Sequence, residues 1–268
     1  MVDTSNFRLL SSNFLTMKQL QKENLKIEVH ETVNKMGLAA AKSVAEILDN
    51  SISEKGFANL ILATGASQFS FLENLQKQNI DWKKITVFHL DEYKGMSDSH
   101  PASFRKYLKE RILEKVQPKK VYYLNGDAED IDAEVLRYEE LLKNHPIDIG
   151  CIGIGENGHI AFNDPPVADF NDPNLVKVVE LDEACRKQQL GEGWFPTFDN
   201  VPTHALTLTI SAIMNCKTIC CVVPDERKSE AVFNTMNAEI STACPATILR
   251  THKNTVLYLD KNSASKID

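Results

Sequence analysis

Residues 147–166 read IDIGCIGIGENGHIAFNDPP. The first half is a short, nearly unbroken apolar run, as expected of a strand buried on both faces. The second half is a glycine turn carrying an acid, an amide, an imidazole and a further acid before a Pro pair. A buried strand that ends in glycines and proton-handling groups predicts an open parallel sheet with its ligand crevice at the strand's carboxyl end.

The rest of the chain repeats this alternation. ANLILATG (58–65), ITVFHLDEY (85–93), HALTLTI (204–210), TICCVV (218–223) and TVLYL (255–259) are further strand candidates. GLAAAKSVAEILDN (37–50) has helical composition. In SHPASFRKYLKERI (99–112), Phe104, Tyr107, Leu108 and Ile112 recur at helical spacing. In DIDAEVLRYEELLKNH (130–145), Ile131, Val135, Tyr138 and Leu142 do the same. The fold class expected is therefore α/β, three-layer, with a mostly parallel, Rossmann-like open sheet and helices on both faces. All six strands are assigned to that sheet.

At 268 residues and 43% hydrophobic, the chain can bury a sizeable core without staples. It shows no short repeat or Pro/Ser-rich linker, so one domain spanning 1–268 is expected, with residues 1–37 as an N-terminal extension. The formal net charge of -7 argues against nucleic acid as a partner. The opening MVDTSNFRLLSSNFLTMKQL lacks a basic start followed by a long apolar stretch, and no run of about 18 apolar residues occurs. No membrane association and a cytoplasmic location are expected. Of the six Cys, Cys151, Cys220 and Cys221 lie in apolar runs, while Cys185, Cys216 and Cys244 have no C-x-x-C spacing, so reduced thiols are expected.

Three strand ends carry polar groups. At Thr64–Ser67, Gly65 permits a tight turn, and a helix beginning near Gln68 would aim N–H groups at an anion such as phosphate. In FHLDEY, Asp91 and Glu92 face opposite ways if extended, so at most one faces the crevice. A carboxylate there suits a general base, or else a capping acid. His89 shares a face with Asp91, but no second cluster completes a metal site, and no metal is expected. At the third end, Gly153, Gly155 and Gly158 let backbone approach a ligand. His159 can exchange protons there, and Glu156 or Asp164 could orient it.

LDEYKGMSDSHPASF (90–104) together with GIGENGHIAFNDPP (153–166) resembles the glucosamine-6-phosphate deaminase (isomerising) family, within the larger group that also holds 6-phosphogluconolactonases and ribose-5-phosphate isomerases. LNGDAEDIDAEVLRYEELL, VPTHALTLTI, ERKSEAV and CPATILRTH extend the likeness from about Leu38 to the end. The resemblance implies conversion of glucosamine 6-phosphate to fructose 6-phosphate and ammonia, without redox cofactor or catalytic metal. It implies that His159 assists ring opening and that Asp91 moves the C2 proton to C1. It further implies that the phosphate is held by Thr64, Gly65, Ala66 and Ser67 with Arg186 and Lys228. The partner is a small-molecule sugar phosphate, and a homo-oligomer is a possible assembly.

Three positions depart from the family pattern. Glu156-Asn157-Gly158-His159 stands where Asn-Asp-Gly-His is usual, so an amide replaces the acid that supports the histidine; Glu156 could substitute for it only if its side chain turned to the same side as that of the residue it adjoins. Asp164 replaces a Glu, and Ala66 a second Gly. The segment GEGWFP (191–196) reads either as a flap over the site or as packing at the domain edge. A related phosphosugar isomerase or lactonase, or a non-catalytic phosphosugar sensor, are the alternative readings.

Overall fold

The computed structural model describes residues 18–191 and 193–267. Its main sheet has eight strands: β1 (Lys18–Lys22), β2 (Leu25–His30), β3 (Ala58–Leu62), β4 (Ile85–His89), β6 (Lys120–Val121), β7 (Ile149–Ile152), β10 (Thr218–Val223) and β11 (Thr255–Asp260). They lie in the order β1-β2-β11-β10-β7-β3-β4-β6. Every pairing is parallel except that of the edge strand β1 with β2.

Side chains alternate between the two faces of these strands, which is why both faces must be covered. Leu60 and Leu62 of β3, Val87 of β4 and Ile149 of β7 pack against α1 (Val33–Lys55) and α2 (Phe69–Leu75). Ile61, Phe88 and Ile152 face the other way, against Tyr138 and Leu142 of α5 (Ile131–Asn144) and Val232 and Met236 of α8 (Ser229–Asn237). Each fully buried large aliphatic side chain contributes about 1.5–3 kcal/mol. The expected three-layer α/β class is therefore the one observed.

The helices begin and end where side chains satisfy their unpaired backbone groups. Thr32 accepts from Lys35 N at the start of α1, and Gly56, at φ 85°, closes its end. The helix thus extends on both sides of the stretch 37–50 whose composition is helical. Glycine stands at position 37 inside it because a Cβ there would come within 2.4 Å of Ser70 Oγ on α2. Asp130 caps α5 by accepting from Ala133 N at 2.9 Å.

Two sequence expectations need correction. ITVFHLDEY is not one strand: β4 ends at His89, the chain bends at Leu90, and Asp91–Tyr93 form β5 of a second sheet. His204–Leu208 (β9) does not join the parallel sheet either. It lies between β5 and β8 (Val176–Glu180) in an antiparallel sheet ordered β5-β9-β8. The physical cause is the cluster formed by Tyr93, Phe162, Val179, Ala205 and Phe195, a third apolar core that draws these strands out of the main sheet.

The residues 1–37 read as an extension lie outside the described residues up to 17. The remainder supplies β1, β2 and the first turn of α1, and Leu25 and Ile27 are core residues. No helix among the described residues is long and apolar enough to cross a membrane.

From β3 the chain steps out to β4 and β6 on one side. It then returns to β7 on the other side of β3 and continues outward to β10 and β11. The reversal between β3 and β7 is a topological switch point, and the loops after these strands diverge to leave a crevice there.

Candidate active site

A cleft of about 280 Å³ opens at this switch point. Its wall draws on four strand ends: Thr64–Ser67 after β3, Asp91 after β4, Gly153–Glu156 and His159 after β7, and Asp225, Arg227 and Lys228 after β10. Three of these ends were identified from sequence, and the structure brings them together.

Asp91 is 7% exposed, and burial, with the neighbouring Glu92 carboxylate adding to it, pushes its carboxyl up to about 8. The break after β4 separates the two acids. Asp91 faces the cleft, whereas Glu92 turns toward α3 (Phe104–Leu108). There Glu92 accepts from Ser103 Oγ at 2.8 Å, from the backbone N–H of Phe104 and Arg105, and from Arg105 Nε at 3.2 Å. Glu92 is a capping acid, one of the two readings the sequence left open.

His89 is not a metal ligand, because both ring nitrogens are engaged in the fold. Leu124 N donates to its Nε2 at 2.9 Å, which makes Nδ1 the protonated nitrogen, and Nδ1 donates to the Asp91 carbonyl at 2.9 Å. Complete burial lowers its pKa to about 3, so the ring is neutral. His89 therefore ties the backbone of Asp91 to the loop after β6.

At the third strand end, His159 Nδ1 lies 2.9 Å from Asp164 Oδ1. Asn157 Nδ2 donates to the same oxygen at 2.8 Å, and Asn157 Oδ1 accepts from His159 N at 3.0 Å. The amide that replaces the usual acid thus braces both members of the pair. Burial pushes the Asp164 carboxyl up, but hydrogen bonding and charge from His159, with hydrogen bonds from Asn157 and the Cys185 thiol, outweigh it and hold the group below its ordinary value. Of the two acids that could orient the imidazole, Asp164 does so and Glu156 does not. The Glu156 side chain is 42% exposed and pairs with Arg227 at 3.8 Å.

Glycine is required next to the imidazole: a Cβ on Gly155 would lie 2.2 Å from His159 ring atoms. Gly158, at φ +86°, closes the turn through its N–H to the Gly155 carbonyl.

Gly65, Ala66, Ser67 and Lys228 also line the cleft. Gly65 has φ +94°, and its carbonyl accepts from Tyr107 Oη at 2.8 Å. Gln68 Nε2 donates to Ser67 Oγ and to the Val222 carbonyl, tying this turn to the end of β10. Arg186 is not part of the wall. Its guanidinium donates to the Phe198 and Val201 carbonyls and stacks on the Phe198 ring at 4.1 Å.

Sequence reasoning missed Gln188, Gln189 and Arg227, all of which line the cleft. In α6 (Glu183–Gly191), Cys185 is buried and Gln189 lies one turn on, while Arg186 is rotated about 100° away around the helix. That spacing was a usable signal. Tyr93 Oη donates to Gln189 Oε1 at 2.6 Å. Of GEGWFP, Glu192 lies outside the described residues. Phe195 is buried edge-on to Tyr93, and Trp194 packs beside it, as the packing reading expected.

An open α/β sheet that brings a carboxyl of raised pKa and a carboxylate-backed imidazole into one switch-point cleft has the layout of an enzyme site for a small ligand. Comparison with known proteins narrows the class. The chain belongs to the glucosamine-6-phosphate isomerases/6-phosphogluconolactonase family, whose model matches residues 31–258. It is 37% identical over 228 residues to a glucosamine-6-phosphate deaminase of Listeria monocytogenes serotype 4a (strain HCC23), covering 85% of this chain and 95% of that protein. With a glucosamine-6-phosphate deaminase of Bacillus cytotoxicus the identity is 34% over 241 residues, covering 90% and 88%. Among solved structures, a monomeric glucosamine-6-phosphate deaminase superposes with a TM-score of 0.81 at 32% identity, covering 90% of this chain and 99% of that one. A 6-phosphogluconolactonase from Shewanella baltica OS155 shares the fold at a TM-score of 0.72 and 20% identity, covering 87% and 97%.

Proposed function

We propose that this chain converts glucosamine 6-phosphate and water to fructose 6-phosphate and ammonia. The observation that carries this reading is Asp91, a carboxyl raised to about 8 that shares a cleft with His159. A base that must take a proton from carbon works best with a pKa near the operating pH. The substrate's ammonium group, arriving beside it, would draw the carboxyl to its ionised form.

In this account His159, held by Asp164, moves a proton between O1 and O5 to open the sugar ring. The ionised Asp91 removes the C2 proton of the open aldehyde as O1 is protonated, giving an enolamine. Return of that proton to C1 leaves a C2 imine. Water adds to C2, and ammonia departs to leave the ketone. The turn Thr64–Ser67 and Lys228 would hold the phosphate, so that binding energy remote from the reacting carbons positions them. No redox cofactor or metal is needed for these steps.

The identity to named deaminases over nearly their whole length supports this reading over the lactonase and sensor alternatives. A cytoplasmic site of action is part of the proposal. All six cysteines are free and buried, as suits a reducing compartment. The test compares two substrates with one enzyme preparation. Equal release of ammonia and fructose 6-phosphate from glucosamine 6-phosphate, with negligible hydrolysis of 6-phosphogluconolactone, supports the proposal. The reverse preference refutes it.

A further inference from the structure

Arg186 was the second cation expected at the phosphate, yet its guanidinium is committed to backbone carbonyls and to the Phe198 ring. The cationic side chains that line the cleft, among the described residues, are Lys228 and Arg227. They are adjacent in the turn after β10, and the Gln68 bond to Val222 brings the Ser67 turn against the end of that same strand.

The turn that carries them is itself unusual. Asp225 has φ 86° and ψ 141°, close to a region reserved almost entirely for glycine. Its surroundings hold it there. Its N–H donates to Asp260 Oδ1 at 2.9 Å, its carbonyl accepts from Lys228 N, and its Oδ1 accepts from Arg227 N at 3.1 Å. Its other carboxylate oxygen lies 3.6 Å from Arg227 Nε. On the far side of the guanidinium, Nη1 lies 3.8 Å from Glu156 Oε1. Arg227 thus stands at the cleft wall between two carboxylates in long, loose ion pairs. Its side chain is 60% exposed, so exchanging one of these partners for an arriving dianion costs little desolvation.

We propose that Arg227 is a phosphate-binding, specificity-determining residue of this cleft, and that Glu156 competes with the substrate phosphate for its guanidinium. Glu156 thereby tunes affinity for the anionic end of the substrate rather than serving the imidazole. This inference rests on the reading of the cleft as a glucosamine 6-phosphate site, and its test is independent of turnover.

The experiment measures binding of inorganic phosphate by calorimetry to the wild-type chain, Arg227→Gln, Glu156→Gln and the double variant. Arg227→Gln weakens phosphate about tenfold, the scale of one lost charge-assisted hydrogen bond in a partly solvated site. Glu156→Gln tightens it about two- to threefold, as removal of an exposed competing charge should. In the double variant the Glu156 effect disappears, and raising the salt concentration weakens wild-type binding more than that of Arg227→Gln. Phosphate affinity unchanged in Arg227→Gln, tightening by Glu156→Gln that persists without Arg227, or no phosphate binding by the wild type would each overturn the proposal. Phosphate results as expected without ammonia release from glucosamine 6-phosphate would leave the Arg227 assignment standing and refute the substrate.

Discussion

His159 Nδ1 and Asp164 Oδ1 are 2.9 Å apart, and the same carboxylate oxygen takes a hydrogen bond from Asn157 at 2.8 Å. The shorter acid reaches the imidazole without help from Glu156. Replacing Asp164 with Asn removes the negative charge that stabilises the imidazolium formed during proton transfer. A fall in kcat of about a hundredfold is expected, with KM changed much less. Because its folded-state pKa is lowered, Asp164 contributes stability above its unfolded pKa and loses it as pH falls through the folded value. Acid unfolding of Asp164→Asn should therefore be less steep than that of the wild type.

A second expectation concerns Gly155. A methyl group there would lie 2.2 Å from the His159 ring, so Gly155→Ala must displace the imidazole. The backbone of Gly155 is not in the left-handed region, so the fold should survive the change. Loss of activity with an unchanged circular dichroism spectrum is the expected outcome. Full activity would show that the imidazole position is not what matters.

His89 holds the chain at the point where one sheet ends and the other begins. Truncation to Ala strands the buried Leu124 N–H and the Asp91 carbonyl. Urea denaturation should show a loss of about 2–4 kcal/mol. In the folded fraction kcat should fall more than substrate affinity, since Asp91 loses its anchor.

The central strands, the α5 stripe and the three polar strand ends were legible in the sequence because each depends on local periodicity and turn chemistry. What was illegible depends on contacts between distant segments. Nothing in ITVFHLDEY says that the chain bends at Leu90, because the bend follows from Tyr93 packing with Phe162, Phe195 and Ala205. The same cluster takes His204–Leu208 into the second sheet. Asn157 could be read as a lost acid, but its bracing of Asp164 needs the fold of the turn. Helical spacing from Cys185 already turns Arg186 away from the cleft, but only the Asp225 turn, which depends on Asp260, brings Arg227 to it.

Asp91 also makes a prediction about stability. Its carboxyl is raised from about 3.8 unfolded to about 8 folded, so the folded state retains a proton that the unfolded state releases. Stability from this group is fully present below pH 4 and is lost as pH rises toward 8. Asp91→Asn abolishes that loss. Its advantage over the wild type should grow between pH 4 and 8 and then level off, reaching a few kcal/mol at about 1.4 kcal/mol per pH unit. A constant difference across that range would show that Asp91 is not protonated in the empty cleft.

The most direct test of the mechanism follows the C2 hydrogen itself. With glucosamine 6-phosphate deuterated at C2, the wild-type enzyme should lose the label from C2 in step with ammonia release, as read by nuclear magnetic resonance. Asp91→Asn should retain the label, with its rate of loss reduced about a hundred- to ten-thousandfold. Loss of the C2 label by Asp91→Asn at the wild-type rate would contradict the assignment of Asp91 as the base.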